Sequence, residues 1–277
     1  MPPSPKAETR HLVAKLGGSL SASPALRRWL AALLRYDGPL TIVPGGGPFA
    51  DAVRRAQETL RFSDEAAHEM AIMAMEQYGR ALCDLEPQLV AVSTPREAEA
   101  AHRRGAATIW RPVAMTRAAP QIPQSWDITS DSLAAWYARE AGASALLLIK
   151  SVDWRASSPP SGAGMSSAEG DRERATSRVS GLTPPRIVSR SDPPPEGEGE
   201  GAHTLPHAEE RPQAASRSAP DREAAQSIVD PCFAHHARGL DVFIAGPAAL
   251  REAAETFGRG AIPGAAFDFT REQSIAS

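Results

Sequence analysis

Short apolar runs alternate with amphipathic helical patterns along the first half of the chain. Apolar runs bounded by turn residues predict strands at residues 11–16, 40–43, 89–92, 108–110 and 145–149. Apolar positions at helical spacing predict helices at residues 24–36, 48–60, 65–85, 95–103 and 129–141. Strands that alternate with helices favour a mainly parallel sheet that helices cover on both faces.

This pattern stops at residue 155. The next 72 residues, 155–226, contain ten prolines and only five residues of the Val, Leu, Ile, Phe, Tyr and Trp set. A segment of that composition buries too little apolar surface to offset the conformational entropy that ordering costs. The composition therefore predicts a disordered insertion rich in Pro, Gly, Ser and charged residues.

Regular patterning resumes at Ser227, with an apolar helical face from Val229 to Ala237. A strand at residues 242–245, a helix at 247–257 and a final strand at 265–269 follow. Without the insertion, 277 − 72 = 205 residues remain, which is an ordinary size for one α/β domain. We therefore expect one discontinuous domain, residues 11–154 and 227–270, with a disordered tail at 1–10 and another tail at 271–277.

Composition excludes several classes of function. The net charge is −3 and the pI about 6.2, so nucleic acid is not expected as a partner. Cys83 and Cys232 lie in no metal-ligand spacing, so no protein metal site is expected. Apolar runs stay well short of the ~18 residues that a membrane span needs, and we expect a cytoplasmic protein without membrane contact.

Two glycine turns follow predicted strands. Gly17 and Gly18 follow the first strand, and Gly45, Gly46 and Gly47 follow the second. Glycine lets the backbone approach a ligand closely, and the start of a helix offers unpaired N–H groups to an anion. The turns are candidate phosphate sites, although neither matches the P-loop or the dinucleotide fingerprint.

Charged residues stand at the ends of three predicted elements. Lys15 lies near the end of the first strand, where an ammonium can meet charge that develops during phosphoryl transfer. Asp131 lies at a helix start with Thr129, and such residues either cap helices or position a cation. Lys150 follows the strand at 145–149, at the edge of the sheet where α/β proteins bind nucleotides.

Four motifs occur in a fixed order along the chain. They are KLGGSL from Lys15, PGGG from Pro44, TSDS from Thr129 and SVD from Ser151. In this order they resemble the amino acid kinase superfamily, which includes acetylglutamate, aspartate, uridylate and isopentenyl phosphate kinases. The resemblance spans residues 12–153 and resumes at 227–269. It implies a three-layer αβα sandwich in which ATP and the acceptor lie end to end across the carboxyl ends of the strands.

The resemblance also implies roles for individual residues. Lys15 and Asp131 would be catalytic, the first at the transferring phosphoryl group and the second as organiser of the catalytic cations. The phosphates or the acceptor would be bound by Gly17, Gly18, Ser19, Gly45, Gly46 and Gly47. The nucleotide would be bound by Lys150, Ser151 and Asp153. The implied cofactors are ATP and Mg²⁺, the partner is a small-molecule phosphoryl acceptor, and a homo-oligomer is expected.

Within the superfamily, the residues around Thr129 and those at 71–78 look most similar to the small kinases of methanofuran and methylofuran biosynthesis. That similarity implies an aminomethylfuran-methyl phosphate as acceptor, with UMP or another phosphate monoester as the alternative. A non-catalytic nucleotide- or oxyanion-binding storage subunit is a further alternative. Two features depart from the family. Trp154 replaces a glycine, and no lysine follows Lys150, so Lys150 or Arg259 would replace a second catalytic lysine.

Overall fold

The computed structural model describes residues 10–154 and 228–267, which form one seven-stranded sheet with helices on both faces. The strands are β1 (Leu12–Leu16), β2 (Leu40–Pro44), β3 (Val90–Val92), β4 (Thr108–Trp110), β5 (Ala145–Ile149), β6 (Asp241–Ala245) and β7 (Ala265–Ala266). Their order is β3-β4-β2-β1-β5-β6-β7, and every pairing is parallel except that of β7 with β6.

Eight α-helices cover the described part of the sheet. They are α1 (Ala25–Leu33), α2 (Gly47–Leu60), α3 (Asp64–Leu85), α4 (Pro95–His102), α5 (Val113–Arg117), α6 (Ser130–Glu140), α7 (Phe233–His236) and α8 (Leu250–Gly258). Alternate residues of β1 enter two different cores, since side chains alternate between the faces of a strand. Leu12 and Leu16 pack with α1 and α8, and Val13 packs with α6 and α7. The three-layer αβα sandwich predicted from sequence is confirmed.

The central strand β1 determines where a site can form. From β1 the chain goes to β2 on one side and later returns to β5 on the other side. A crevice opens at the carboxyl ends of the strands where the strand order reverses in this way, and ligands of open α/β sheets bind there. Lys15 shares the face of Val13, so the alternation directs its side chain toward α6.

Some elements differ from the sequence prediction. The short helix α5 was missed, because its five residues are too few to show a helical period. The last strand, predicted at 265–269, is Ala265–Ala266 and pairs antiparallel with β6, and positions 268–269 lie outside the described residues. Gly17 leads into a 3-10 turn, Gly18–Ala22, and α1 begins only at Ala25, so the first glycine turn does not start an α-helix directly.

The predicted insertion at 155–226 and most of both predicted tails lie outside the described residues. The domain boundaries therefore stay predictions. Across the described ranges, none of the helices is both long enough and apolar enough to cross a bilayer.

Candidate functional site

A buried cluster of three charged side chains lies at the carboxyl end of β1. The Lys15 ammonium is 2.9 Å from Oδ1 of Asp131, and the Lys150 ammonium donates a hydrogen bond to Oδ2 of the same carboxylate. Lys15 and Asp131 are only 6% and 5% exposed. Neighbouring parallel strands bring the two lysines together, because Lys15 is near the end of β1 and Lys150 directly follows β5.

The lysines keep the Asp131 carboxylate ionised despite its burial. Burial alone would raise the pKa of Asp131, but the charges of Lys15 and Lys150 and their hydrogen bonds outweigh it and lower that pKa. The pKa of Lys150 is lowered, mainly by burial and also by the charge of Lys15, while the Asp131 carboxylate opposes this shift. The Asp230 carboxylate also raises the pKa of Lys150, so two lysines and two carboxylates lie together at this end of the strands. Burying so many charged groups is costly, which favours a functional reason for keeping them there.

The start of α6 holds Asp131 in place. Oγ1 of Thr129 accepts a hydrogen bond from the Asp131 N–H at 3.3 Å, so Thr129 is the N-cap. This leaves the carboxylate of Asp131 free to pair with the lysines. Sequence reasoning considered a capping role and a charge-positioning role for this segment, and the structure divides them between Thr129 and Asp131.

Asp230, which follows residues 155–227 in the sequence, stabilises the same turn. Its carboxylate accepts hydrogen bonds from the Thr129 N–H at 3.1 Å, the Thr129 hydroxyl at 2.6 Å and the Ser132 N–H at 3.2 Å. The Ser132 hydroxyl donates to it as well. Two residues earlier, the carbonyl of Ile228 accepts a hydrogen bond from the Lys150 ammonium at 2.7 Å. Sequence reasoning missed both contacts, because nothing local links residues 228–230 to a helix about 100 positions away.

The two glycine turns pack directly on each other beside Lys15. A Cβ atom on Gly18 would lie 2.4 Å from the Gly47 nitrogen, and one on Gly45 would lie 2.5 Å from the Gly18 nitrogen. Gly47 has φ +55, and a Cβ atom there would lie 3.1 Å from Cγ of the Tyr78 ring, so a side chain would meet both strain and crowding. Side chains would force the turns apart, and glycine is required for their contact.

The residues predicted to bind the nucleotide separate into different environments. Lys150 turns toward Asp131, as described above. Ser151 accepts a hydrogen bond from the Ser19 hydroxyl at 3.0 Å, which connects the end of β5 to the first glycine turn. Asp153 accepts the Ala248 N–H at 2.8 Å and so orders the loop that precedes α8.

The two departures from the family pattern also have defined positions. Trp154 stacks obliquely against Phe267, with ring centroids 5.5 Å apart, and belongs to the core on the α6 side. Arg259 is paired with Glu255 at 2.7 Å on the exposed end of α8. Of the two predicted replacements for a second lysine, Lys150 is the one that contacts Asp131.

A cavity of about 270 Å³ borders the charged cluster. Lys15, Gly18, Ser19, Gly46 and Gly47 line one part of it. Residues of α2, α3 and the segment from Trp126 to Leu133 line the rest. At its margin the Arg54 guanidinium lies 4.4 Å from the centre of the Trp126 ring, an arrangement of cation–π type. Of the residues that line this cavity, sequence reasoning identified Lys15, Gly18, Ser19, Gly46 and Gly47, and it missed those of α3 and the remaining ones of α2.

Metal binding by the protein alone finds no support at this site. Within residues 10–154 and 228–267 there is no group of three or more His, Cys, Asp or Glu side chains placed to hold an ion. A magnesium ion here would need ligands from a bound phosphate chain, which is how this ion is commonly held.

The fold and the site define a three-layer α/β protein with a Lys–Asp–Lys cluster at the switch point of its parallel sheet. The chain belongs to the amino acid kinase family, whose family model matches residues 10–154. It is 28% identical over 145 residues to the [5-(aminomethyl)furan-3-yl]methyl phosphate kinase of Methanocaldococcus jannaschii. That match covers 52% of this chain and 66% of the relative, just under two thirds of its length.

Solved structures with a similar fold include two enzymes of the uridylate kinase type. The uridylate kinase of Archaeoglobus fulgidus is 22% identical with a TM-score of 0.41, and the match covers 52% of this chain and 64% of that one. The UMP kinase of Bacillus anthracis is 16% identical with a TM-score of 0.43, covering 56% of this chain and 70% of that one.

Proposed function

We propose that this protein is an ATP-dependent phosphotransferase that acts on a small phosphorylated acceptor. The observation that carries the proposal is the Lys15–Asp131–Lys150 cluster, which places the Lys15 ammonium on the border of a cavity that the glycine turns also line. Phosphoryl transfer needs positioning and charge stabilisation more than covalent help from the protein. Membership of the amino acid kinase family supports the same reaction class.

Each residue of the cluster has a separate role in the proposed reaction. Lys15 places its ammonium next to the glycine turns, where it would stabilise the negative charge of the transferring group. Asp131 holds the two ammonium groups at fixed positions and is not itself a base in this scheme. Lys150 takes the place of the second catalytic lysine, anchored by the carbonyl of Ile228.

The residues present fit a nucleotide with a magnesium ion. The backbone of Gly18, the Ser19 hydroxyl, and Gly46 and Gly47 of the second turn would hold phosphate oxygens, because these residues line the cavity beside Lys15. The Gly17 N–H already donates to the Ile149 carbonyl, so Gly17 shapes the turn and does not bind phosphate. Bound ATP supplies the phosphoryl group, and Mg²⁺ would neutralise part of the charge on its phosphates. Among the described residues, the protein's share is to orient the phosphates and to exclude water from the buried cluster.

For the acceptor, we propose [5-(aminomethyl)furan-3-yl]methyl phosphate first, since the relative from M. jannaschii is named for it. UMP, or another phosphate monoester, is the alternative. A cytoplasmic location stays a prediction.

The test is a coupled assay of the full chain with ATP, MgCl₂ and each candidate acceptor in turn. We expect ADP to form only when a phosphorylated acceptor is present, and the diphosphate product to appear in equal amount. ATP binding without transfer to any acceptor would favour the non-catalytic alternative, a nucleotide- or oxyanion-binding subunit on the same fold.

We further propose a homo-oligomer that forms through α2 and α3. Phe49 on α2 and Met70 and Met73 on α3 are large apolar side chains that are each 37–38% exposed, and a second copy of the chain would cover them in the proposed interface. Light scattering should give at least twice the chain mass of 29.4 kDa. Met73→Glu should shift the mass toward that of one chain, and a monomeric wild-type protein would contradict the proposal.

A further inference from the structure

The cavity beside Lys15 has a second basic side chain, Arg54 of α2. Among the described residues that line this cavity, Lys15 and Arg54 are the only lysine or arginine. His68 also lines it, but burial lowers the pKa of His68, so the imidazole is uncharged near neutral pH. The Nε2 of His68, which has no partner among the described residues, is enclosed and does not meet a ligand. Arg54 is therefore the further positive charge that these residues offer to a molecule in the cavity.

The ring of Trp126 holds the Arg54 guanidinium at the margin of the cavity. The guanidinium carbon lies 4.4 Å from the centre of this ring, and both residues line the cavity. An attraction of this type acts on the cation as a whole and requires no hydrogen bond from it. The ring is itself fixed, because its Nε1–H donates to Oε1 of Gln57 at 2.8 Å, and Nε2 of Gln57 donates to Asp64 at 2.7 Å. Arg54 therefore loses little side-chain freedom when a ligand binds.

The ion pair of Arg54 with Asp51 leaves the guanidinium available for an anion. Nη1 of Arg54 lies 3.4 Å from Oδ1 of Asp51, and the two side chains are 51% and 60% exposed. Exposed pairs of this kind contribute little, since water competes for both groups. A guanidinium presents its N–H donors as a planar fork that matches two oxygens of a phosphate. Arg54 can bind a phosphate without giving up a strong partner.

Transfer to a phosphate monoester brings two anions together. A phosphate oxygen of the acceptor forms a bond to the γ phosphorus of ATP as the bond from that phosphorus to the β-phosphate oxygen breaks, and ADP leaves with the electron pair. The dianionic acceptor has no proton to lose, so no base is needed. Repulsion between the two phosphates opposes their approach. Lys15, which is already paired with Asp131 at 2.9 Å, serves the transferring group, so the acceptor phosphate needs a cation of its own.

We propose that Arg54 binds the phosphate of the acceptor, and that Trp126 is the positioning residue that holds the guanidinium for this contact. The inference rests on the proposed function and makes Arg54 the residue that selects a phosphate monoester over the corresponding alcohol. The same contact serves any group that carries the phosphate. A competing explanation is structural, in which Arg54 only joins α2, through Trp126, to the segment that precedes α6.

The experiment measures by calorimetry how the full chain binds two phosphate monoesters and their alcohols. The pairs are [5-(aminomethyl)furan-3-yl]methyl phosphate with its alcohol, and UMP with uridine. Binding of a non-hydrolysable ATP analogue with MgCl₂ is measured separately. The variants are Arg54→Gln, Arg54→Lys, Trp126→Leu and Trp126→Phe. Arg55→Gln, at an exposed arginine of the same helix that is not among the residues lining the cavity, is the matched control.

We expect Arg54→Gln to bind the better monoester on the order of tenfold more weakly, and to bind its alcohol and the ATP analogue within about twofold of the wild type. Arg54→Lys should recover only part of the loss, because an ammonium keeps the charge without the fork. Trp126→Leu should weaken monoester binding by about threefold, and Trp126→Phe by less, because a phenyl ring keeps an aromatic face. Added to Arg54→Gln, Trp126→Leu should cause no further loss, since the ring acts through Arg54. Arg55→Gln should bind as the wild type does.

Unchanged monoester binding in Arg54→Gln, or an equal loss for the monoester and its alcohol, would overturn the inference in favour of the structural explanation. A lower melting temperature with unchanged binding would have the same meaning. The inference also fails if neither monoester binds the wild type, or if Arg55→Gln loses as much binding as Arg54→Gln. Arg54-dependent binding without phosphoryl transfer from ATP would support the inference and refute the proposed function, whereas transfer that does not depend on Arg54 would do the reverse.

Discussion

Two buried polar clusters lie at opposite ends of the same strands and differ in charge. At the carboxyl end of β1, the Asp131 carboxylate pairs with Lys15 and Lys150. At the other end of the strands, His11 and His102 meet with their rings 4.9 Å apart. Nε2 of His102 lies 3.0 Å from the Leu40 carbonyl oxygen, and the two threonines that complete this second cluster, Thr41 and Thr108, are joined by a hydrogen bond of 2.9 Å.

The comparison separates a structural cluster from a candidate site. Burial lowers the pKa of His11 to about 4 and also lowers that of His102, so both rings are neutral near pH 7. Neutral groups with satisfied hydrogen bonds can be buried at little cost. Both clusters border cavities, so the difference lies in charge: the carboxyl-end cluster keeps a buried carboxylate between two lysines. Charges are expensive to bury, which favours a ligand-binding role for this end.

The largest expected effect is that of Lys15→Ala on turnover. We expect kcat to fall by about 10²- to 10³-fold, because the variant removes charge that is needed mainly in the transition state. The fold should persist, since Asp131 keeps Lys150 as its partner. The measurement is kcat with the best acceptor, together with the circular dichroism spectrum.

Lys6→Ala is the matched control for Lys15→Ala, because Lys6 is the remaining lysine of the chain and lies outside the described residues. It should have wild-type turnover. If Lys15→Ala keeps wild-type turnover as well, the carboxyl-end cluster is not the catalytic site.

Asp131→Asn should affect stability and rate together. The variant leaves two buried ammonium groups without their carboxylate, which typically costs about 3 kcal/mol of unfolding free energy. The rate should fall as well, because the lysines lose the group that positions them. Urea unfolding and kcat measure the two effects, with Asp127→Asn as an exposed control in the same segment. A variant as stable as the wild type would contradict the pairing described for this cluster.

At the other end of the strands, the neutral histidines predict a dependence of stability on pH. The unfolded chain binds a proton at His11 near pH 6.5, whereas the folded chain binds it only near pH 4. The stabilisation is therefore fully present above pH 6.5 and is lost as the pH falls toward 4. We expect about 3 kcal/mol of unfolding free energy to disappear across this window.

Chemical unfolding at several pH values measures the effect of the histidine cluster. His11→Gln should flatten the profile between pH 6.5 and 4, and His235→Gln, at an exposed position, should not. An unchanged profile in His11→Gln would show that the pH dependence arises elsewhere. Turnover at pH 7 should be nearly the same in both variants, because this cluster lies at the opposite end of the strands from the cavity beside Lys15.

Most of the fold could be predicted from periodicity. The strands at Thr108–Trp110 and Ala145–Ile149 match their predicted bounds, because both are short apolar runs flanked by turn residues. The switch point could not be predicted in the same way. It depends on the order of strands in space, and a linear pattern does not give that order.

The candidate site was predicted in part. Lys15 and Asp131 were identified from strand-end and helix-start positions, but no local pattern indicated that Lys150 would meet the same carboxylate. That contact follows from the pairing of β1 with β5. His68 lies within the helical pattern of α3, and a helical pattern shows which face is buried without showing which polar atom lacks a partner.

The smallest expected effect is that of Asp230→Asn, and it tests whether Asp230 positions the charged cluster. The variant keeps the shape of the side chain but has only one oxygen to accept from the four donors of Thr129 and Ser132. The start of α6 should loosen, so we expect kcat to fall by about tenfold.

Burial is the main reason why the pKa of Lys150 is low, and the Asp230 carboxylate opposes that shift. Without it the pKa of Lys150 falls further, and the alkaline limb of the kcat profile should move to lower pH. Asp241→Asn, an exposed acid paired with Arg10, is the control and should leave the profile in place. A loss of stability without movement of the alkaline limb would limit Asp230 to holding the helix.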